Sequence, residues 1–333
     1  MPCAGYSGCV PFAWEDVLAA RRRIAPYLPV TPLRRYAALD DAVGLRVLVK
    51  HENHLPTNAF KVRSTLSFLT ALPADQRARG AIAATRGNHG AGLAWSGAQL
   101  GVPVVVCVPH GNNPEKNAAI RGFGAELIEA GRDFDDALEI AGRLARDRGL
   151  VMAHSTNDPH VLAGAATLSA ELCEQAAAQA EALDAIVVGV GGGSQAVGAL
   201  AATAALRPGV RVYGVQARGA SAIHDSWHSG IRRSIATADT FADGLATRAT
   251  YDLTWEPLRR LAGFVTVSDA DLADAVRLLL GTTHNLAEGA GAAGLAGARA
   301  LRDQLPPRAT VAIILSGANI DAATLRRVVT GEL

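Results

Sequence analysis

Short β-branched runs alternate with alanine-rich, helix-like stretches along most of the chain. The clearest strand-like runs are RVLVK, AIAAT, VPVVVCV, AIVVGV, RVYGV and TVAIILS. Between them, NPEKNAAIRGFG predicts a helix with Asn113 as its N-cap and Pro114 at its first position, and DFDDALEIAGRLARDRG predicts a helix that ends at Gly149. This alternation is typical of βαβ units, in which helices flank a largely parallel sheet. The pattern therefore predicts an α/β fold.

The composition agrees with that fold class and excludes some partners. The 333 residues are 49% hydrophobic and 5% aromatic, with 34 glycines, which is enough for a large core and usually for two domains. The formal net charge is +1 and the basic residues are spread along the chain, so we expect no nucleic-acid partner. The longest apolar runs have the length of strands, so we expect no membrane span.

The N-terminus and the cysteines predict a cytoplasmic protein. MPCAGYSGCVPFAW lacks a basic start followed by an apolar block, so it does not indicate a secretory signal. Cys3, Cys9, Cys107 and Cys173 lack the paired spacing of metal ligands, and Cys107 lies in an apolar, strand-like run. We therefore expect reduced thiols.

A glycine-rich turn follows the strand-like run AIVVGV. It consists of Gly191, Gly192, Gly193 and Ser194. Because the turn opens a helix-like stretch, its N–H groups and the positive helix end would face an anion, and we interpret it as a phosphate cradle. The alternative is a dinucleotide loop of the GxGxxG type, but the third glycine is absent and ARG, not an acidic residue, follows the next strand.

The stretch TNAFKVRST places Lys61 beside the aromatic ring of Phe60 and a polar turn. An isolated lysine of this kind is ordinarily solvated at a helix start, but it can also form an imine with an aldehyde cofactor. Further motifs follow in the chain: TRGNHGAG at 85–92, GVGGGSQ at 189–195, FADG at 241–244, AEGAGA at 287–292 and LSGAN at 315–319. In this order and spacing the set resembles the fold type II pyridoxal 5′-phosphate enzymes, the threonine and serine dehydratase branch in particular.

The resemblance covers nearly the whole chain and implies its organisation. It implies a large cofactor-binding domain, residues 1–79 and 158–333, and a small inserted α/β domain, residues 80–157. Both would contain mostly parallel, twisted sheets flanked by helices, with pyridoxal 5′-phosphate in the cleft between them. A homodimer or homotetramer is also implied. The sequence continues for only 14 residues after LSGAN, so we expect no regulatory domain of the kind that biosynthetic threonine deaminases carry and no feedback inhibition by isoleucine.

The resemblance also assigns residues to the cofactor. They are Phe60, Lys61, Asn88, Gly191, Gly192, Gly193, Ser194, Gly244, Glu288 and Ser316. Lys61 would anchor the cofactor and act as the Cα base, and Ser316 would bond the pyridine nitrogen, where a neutral hydroxyl favours elimination over transamination. The residues alone allow other roles: Ser316 and Gly317 as a cap of the final helix, Asn88 as the N-cap of a helix starting at His89, and Phe60 as ordinary core.

The implied reaction is α,β-elimination of water from a β-hydroxy α-amino acid, such as threonine, serine or phenylserine, to give a 2-oxo acid and ammonia. The implied substrate contacts are Thr85, Arg86, Gly87, Asn88 and His89. HENHLPTNAFKVR and TRGNHG look similar to a group that includes phenylserine and hydroxy-amino-acid dehydratases, which implies a bulkier or more polar β-substituent. A β-replacement enzyme, a catalytically silent ligand-binding homologue and a nicotinamide oxidoreductase are the alternatives.

Two departures from the family pattern change these expectations. Arg86 stands where serine racemases carry a serine that acts as a second base, so we expect no two-base racemisation. Arg86 would be a surface or loop-bracing arginine, or it would contact an acidic or hydroxylated substrate side chain. Gln216 stands where metal-dependent relatives have a glutamate, so we expect no metal site and no effect of chelators.

Histidines are weaker candidates. His51 and His54, and likewise His224 and His228, have a spacing that suits one helical face, but no third ligand lies nearby, so we expect solvated side chains. His284 and Asn285 come just before Glu288 and are candidates to line the cleft.

Overall fold

The computed structural model describes residues 10–333. Outside these residues lie Cys3, Cys9 and most of the N-terminal segment MPCAGYSGCVPFAW, for which we expect no secretory signal. The strands are β1 (Leu33–Arg35), β2 (Arg46–His51), β3 (Ala81–Ala84), β4 (Val104–Val108), β5 (Glu126–Glu129), β6 (Val151–Met152), β7 (Ala185–Gly189), β8 (Arg211–Ala217), β9 (Gly263–Val267) and β10 (Thr310–Leu315).

The helices are α1 (Trp14–Ile24), α2 (Ala37–Val43), α3 (Lys61–Ala71), α4 (Ala74–Arg79), α5 (Asn88–Leu100), α6 (Pro114–Gly122), α7 (Phe134–Arg148), α8 (Pro159–Ala178), α9 (Ser194–Leu206), α10 (Ala222–Ser229), α11 (Asp252–Leu258), α12 (Asp269–Thr283), α13 (Gly289–Ala300) and α14 (Ala322–Thr330). Asn113 caps α6 by accepting hydrogen bonds from the N–H groups of Glu115 and Lys116, and α7 ends at Gly149 in a left-handed conformation. Both helix limits were predicted and are confirmed.

The strands form two separate sheets. The larger has the order β1-β2-β10-β7-β8-β9 and the smaller the order β5-β4-β3-β6. All pairings are parallel except that of β1 with β2. The predicted α/β fold with mostly parallel sheets is confirmed.

The central strands of the larger sheet, β2, β10, β7 and β8, are buried on both faces, which explains why they are continuous apolar runs. In β2, Val47 and Val49 pack with α12 and α13, whereas Leu48, which points to the other face, packs with α8 and α9. Because neither face meets water, the strands lack the polar alternation of a half-exposed sheet.

All four strands of the smaller sheet lie between Ala81 and Met152. Helix α3 joins the two sheets, since Phe68 and Leu69 pack in the core of the smaller one. On this arrangement we propose that residues 80–157 form the small inserted domain and residues 1–79 and 158–333 the large one. Within residues 10–333, no helix combines the length and apolar character that crossing a membrane requires.

Candidate active site

A cavity of about 460 Å³ opens between the two sheets. Its walls include the segments that follow β3, β6, β7 and β10, so the carboxyl ends of strands from both sheets meet there. Crevices at the carboxyl ends of parallel strands are the usual ligand sites of α/β folds. Its volume suits a small cofactor together with a substrate.

Lys61 lines this cavity and is the first residue of α3. The N–H of Phe60 donates to the carbonyl of Ser316 at 2.9 Å, which ties the start of α3 to the end of β10. The Lys61 Nζ donates to the Ser155 carbonyl and to the Ser194 Oγ, both at 3.2 Å, and lies 5.0 Å from the Phe60 ring centre. Burial lowers the pKa of Lys61 to about 8. The amine is therefore neutral for a substantial fraction of the time near physiological pH.

At its three glycines, the turn has no room for a side chain. A Cβ on Gly191 would lie 2.1 Å from the Gly244 carbonyl oxygen, and one on Gly192 would lie 2.2 Å from the Thr156 Oγ1. Gly193 has a φ of 98°, a conformation that favours glycine. The turn is therefore held in one compact shape.

The turn presents N–H groups that no helix uses. The Val197 N–H donates to the Gly193 carbonyl, and this is where the hydrogen bonds of α9 begin, so the preceding amides remain available. The Thr254 hydroxyl donates to the Gly192 carbonyl, and the Thr247 hydroxyl donates to the Gly191 carbonyl. These bonds hold the carbonyls of the turn, so that its amides remain the groups available to an anion. Beside the Lys61 amine, this set of donors fits a phosphate-bearing aldehyde cofactor.

Asn88 takes part in a partly buried network of side chains. Its Nδ2 donates to Glu288 Oε1 at 2.6 Å, and its Oδ1 accepts from Asn319 Nδ2 at 2.7 Å. Burial raises the pKa of Glu288 above its usual range. The N-cap of α5 is Gly87, and Asn88 is already helical, so the N-cap alternative for Asn88 is wrong. Its amide is instead fixed in the cavity wall.

Ser316 and Phe60 both line the cavity. The Ser316 Oγ donates to the Ala290 carbonyl over a long 3.4 Å, and the residue is 8% exposed. The final helix is capped by Asp321, not by Ser316 or Gly317, so that alternative is also wrong. Gly244 lines the same cavity through its close approach to Gly191.

The loop after β3 brings the five predicted substrate residues together. The Gly87 N–H donates to the Thr85 Oγ1 at 3.0 Å, and the His89 Nε2 donates to the Ala153 carbonyl at 2.9 Å. Burial and the nearby Lys61 lower the pKa of His89 to about 3, so its ring is neutral. Arg86 lines the cavity, and within residues 10–333 its guanidinium forms no hydrogen bond or ion pair. Among the described residues, Arg86 therefore has no partner through which it could brace the loop.

The sequence analysis missed several cavity residues. Among them are Ser155, Thr156, Lys116, Asp133, Phe134 and Asp243. Ser155 and Thr156 follow β6, which is only two residues long and gives little signal. Asn319 lies within the LSGAN motif and Asp243 within FADG, so both were accessible from the motifs. Lys116, Asp133 and Phe134 belong to the two predicted helical stretches at α6 and α7, but a helical pattern does not show which side chains face a cavity.

Two histidine predictions need correction. His51 is fully buried and contacts the Tyr36 hydroxyl at 2.9 Å, and burial lowers its pKa to about 4, so it is not solvated. His284 is exposed at the end of α12, and Asn285 contacts His54 at 2.8 Å, so neither residue lines the cavity.

Gln216 is buried and already bonded. Its Oε1 accepts from the His224 N–H at 3.0 Å, and its Nε2 donates to Thr247 at 3.3 Å. Within the described part of the chain, no three histidine, cysteine or acidic side chains lie close enough to hold a metal ion. Chelator insensitivity remains a prediction.

Comparison with known proteins agrees with this site. Residues 24–317 match the model of the family described as pyridoxal-phosphate dependent enzyme. The chain belongs to this family. It is 33% identical to an L-threonine ammonia-lyase of Thermotoga maritima, over 96% of this chain and 78% of that protein. It is 32% identical to an L-threo-3-hydroxyaspartate ammonia-lyase of Saccharomyces cerevisiae, over 96% and 97%. Among solved structures, a threonine deaminase from T.th. has a TM-score of 0.87 and 36% identity, over 92% and 98%.

Proposed function

We propose that this pyridoxal-phosphate dependent enzyme is an ammonia-lyase that eliminates water from a β-hydroxy α-amino acid and releases a 2-oxo acid and ammonia. The observation that carries the proposal is the Lys61 amine, held 3.2 Å from Ser194 at the glycine turn with no carboxylate of residues 10–333 bonded to it. The ammonia-lyase relatives, similar over nearly the whole chain, support the same reaction class.

Lys61 has two tasks in this proposal. It would hold the cofactor covalently, with the amides of residues 191–194 around the phosphate and Ser316 at the ring nitrogen. When bound, pyridoxal 5′-phosphate withdraws electrons from the amino-acid Cα and so weakens its C–H bond. The released Lys61 amine takes the Cα proton at its Nζ. A base held beside that proton makes the step intramolecular, which contributes up to about 7 to 11 kcal/mol when the geometry is good.

The residue beside the pyridine ring of the cofactor favours elimination over transamination. Ser316 supplies a neutral hydroxyl and no carboxylate, and a neutral partner does not keep a ring nitrogen protonated.

The loop 85–89 lacks a suitable second base for racemisation. His89 is neutral with a lowered pKa and Arg86 carries a guanidinium, so neither is suited to accept the Cα proton from the face opposite Lys61. We therefore propose that Cα exchange in heavy water proceeds with retained configuration. Efficient inversion of either enantiomer would contradict this.

The direct experiment is a substrate screen. Purified holoenzyme is incubated with serine, threonine, phenylserine and 3-hydroxyaspartate without an added nucleophile, and 2-oxo acid and ammonia are measured together. Equal amounts of both products from at least one substrate are expected. Product formation only after a nucleophile is added would indicate β-replacement, and no turnover of any amino acid would indicate a silent homologue.

We also propose that the protein is cytoplasmic and forms a homodimer or homotetramer. The resemblance to the dehydratase branch supports the assembly, and the absence of metal-type or paired cysteine spacing supports the compartment. Light scattering after gel filtration measures the mass in solution. A mass of about 34.5 kDa, that of one chain, would contradict the proposed assembly.

A further inference from the structure

The cavity holds more positive charge than its own carboxylates neutralise. Within residues 10–333, four cationic side chains line it: Lys61, Arg86, Lys116 and Arg248. Lys116 pairs with Asp243, and Arg248 lies 3.7 Å from Asp133. Lys61 is reserved for the cofactor. Arg86 is the remaining cation.

The guanidinium of Arg86 lacks a partner although part of it is buried. Its Nε is inaccessible to water and makes no hydrogen bond within the described residues. A buried polar atom without a partner costs about 1 to 3 kcal/mol, and more when it is charged. Such a group in a ligand cavity is satisfied when an anionic ligand binds.

The cofactor phosphate has donors of its own, the unused amides of residues 191–194, so it does not need Arg86. The substrate α-carboxylate also has other donors. The Ala91 N–H donates to the Gly87 carbonyl at the start of α5, so the amides of residues 88–90 are unused by the helix and suit one carboxylate. Arg86 therefore provides a second anion position in the same loop.

We propose, on the basis of the function proposed above, that Arg86 binds a second carboxylate, on the substrate side chain, and that the enzyme prefers an acidic β-hydroxy amino acid of the 3-hydroxyaspartate type. A planar guanidinium fork matches a carboxylate with two parallel hydrogen bonds. An aryl substituent could pack on Phe134 and Leu138, which also line the cavity, but it would leave Arg86 without a partner.

The reaction of such a substrate is balanced without another reactant. Elimination breaks the Cα–H and Cβ–O bonds and releases water. Hydrolysis then consumes one water and releases ammonia. The products from 3-hydroxyaspartate are oxaloacetate and ammonia, and nothing is oxidised or reduced overall.

The kinetic test compares an acidic with a neutral substrate. For wild type, Arg86→Met and Arg86→Lys holoenzymes, kcat/KM is measured for 3-hydroxyaspartate and for threonine. Arg86→Met should lower the ratio of the two values about 10- to 100-fold, and Arg86→Lys, which keeps the charge but not the fork, should lower it less. The control is Arg148→Met, which removes an exposed arginine paired with Glu126 at the far end of α7 and should leave the ratio unchanged.

A binding test does not depend on turnover. Succinate and butyrate have four carbons each but carry two carboxylates and one, respectively. Calorimetry on the holoenzyme should show succinate bound at least about tenfold more tightly than butyrate, and Arg86→Met should abolish that difference. If neither acid binds measurably, the kinetic ratio decides.

The outcomes separate this inference from the proposed function. Two outcomes leave the ratio unchanged and overturn the inference. Equal losses with both substrates would place Arg86 at the α-carboxylate, and no loss with either would show that Arg86 does not act on the substrate side chain. In either case the release of oxo acid from threonine would leave the lyase proposal intact. If no β-hydroxy amino acid yields an oxo acid, the lyase proposal fails, whereas the comparison of succinate with butyrate still tests Arg86.

Discussion

Helix α3 carries two cations, two residues apart, in opposite electrostatic surroundings. Arg63 is 1% exposed, and its guanidinium bonds Glu52 at 2.7 Å and Glu171 at 2.8 Å. Lys61 faces the cavity and, among the described residues, donates only to a hydroxyl and a carbonyl. The two carboxylates raise the pKa of Arg63, whereas burial without a carboxylate lowers that of Lys61 to about 8. Pairing thus separates a structural charge from a reactive amine.

The other lysines support this distinction. The chain has three, Lys50, Lys61 and Lys116. The Lys50 Nζ donates to the Thr31 carbonyl, Glu171 and Gln175, which uses all three of its donors. Lys50 does not line the cavity, and Lys116 lines it but is paired with Asp243. Lys61 is therefore the lysine that is suited to hold a cofactor.

The largest expected effect comes from removing the unpaired amine. Lys61→Ala should abolish turnover, with a fall greater than the hundredfold to ten-thousandfold that is typical of losing one proton-transfer group, because two steps depend on it. After borohydride treatment the variant should carry no covalently attached cofactor, as measured by intact mass. Its circular dichroism should stay close to that of the wild type.

If Lys61→Ala keeps a covalent adduct or substantial release of oxo acid, then Lys50 or Lys116 would be the anchor. Peptide mapping of the reduced adduct would identify which. Either result would contradict the contrast between paired and unpaired lysines.

Removing the paired cation, Arg63, should lower the stability of the fold. Arg63→Met leaves Glu52 and Glu171 buried without their main partner, which should lower the free energy of unfolding by about 3 to 5 kcal/mol. Urea denaturation followed by circular dichroism measures this. Arg148→Met, which breaks an exposed pair, is the control and should cost at most about 1 kcal/mol. Equal losses in the two variants would show that the buried cluster contributes no more than a surface pair.

Much of the fold was predictable because both sheets are buried and parallel. The strand-like runs of the sequence correspond to β2, β3, β4, β7, β8 and β10. The strands β1, β5, β6 and β9 were not among them. β6 has only two residues, which is too short for a recognisable pattern. β5 lies at the edge of its sheet and carries Glu126 and Glu129, so its sequence lacks the continuous apolar run that marks the other strands.

The site residues were predictable where a motif marks them. Lys61, Asn88, residues 191–194 and Ser316 do meet around one cavity. Pairing was not predictable, because it depends on contacts distant in sequence. No motif assigns a role to Arg63, and its partner Glu171 is 108 residues away. Likewise, only the structure shows that Arg86 lacks a partner among the described residues.

A third prediction gives Lys61 the carboxylate that it lacks. Ser194 Oγ lies 3.2 Å from Lys61 Nζ, so Ser194→Asp would place an opposite charge beside the amine. An adjacent carboxylate raises a lysine pKa by about 1 to 3 units. Capture by the apoenzyme at pH 7 is followed with pyridoxal, which lacks the phosphate that a carboxylate at residue 194 would repel, and it should slow at least about tenfold. The control, Ser194→Asn, has nearly the same shape without the charge. If both variants slow equally, the hydroxyl and not the electrostatics matters.

The smallest effect is the pH dependence of the unmodified apoenzyme. Only a neutral amine attacks an aldehyde, and the pKa of Lys61 is about 8. The capture rate, followed by cofactor absorbance, should therefore rise about tenfold per pH unit below pH 8 and level off above it, whereas an ordinary lysine would continue to rise to about pH 10.4. The same shift makes the unfolded chain bind the proton more tightly than the folded one. Apoenzyme stability should thus increase with pH between about 8 and 10.4, and Lys61→Ala should remove that part of the increase. A rate that still climbs tenfold per unit above pH 9 would mean that Lys61 is solvated or paired like any other lysine.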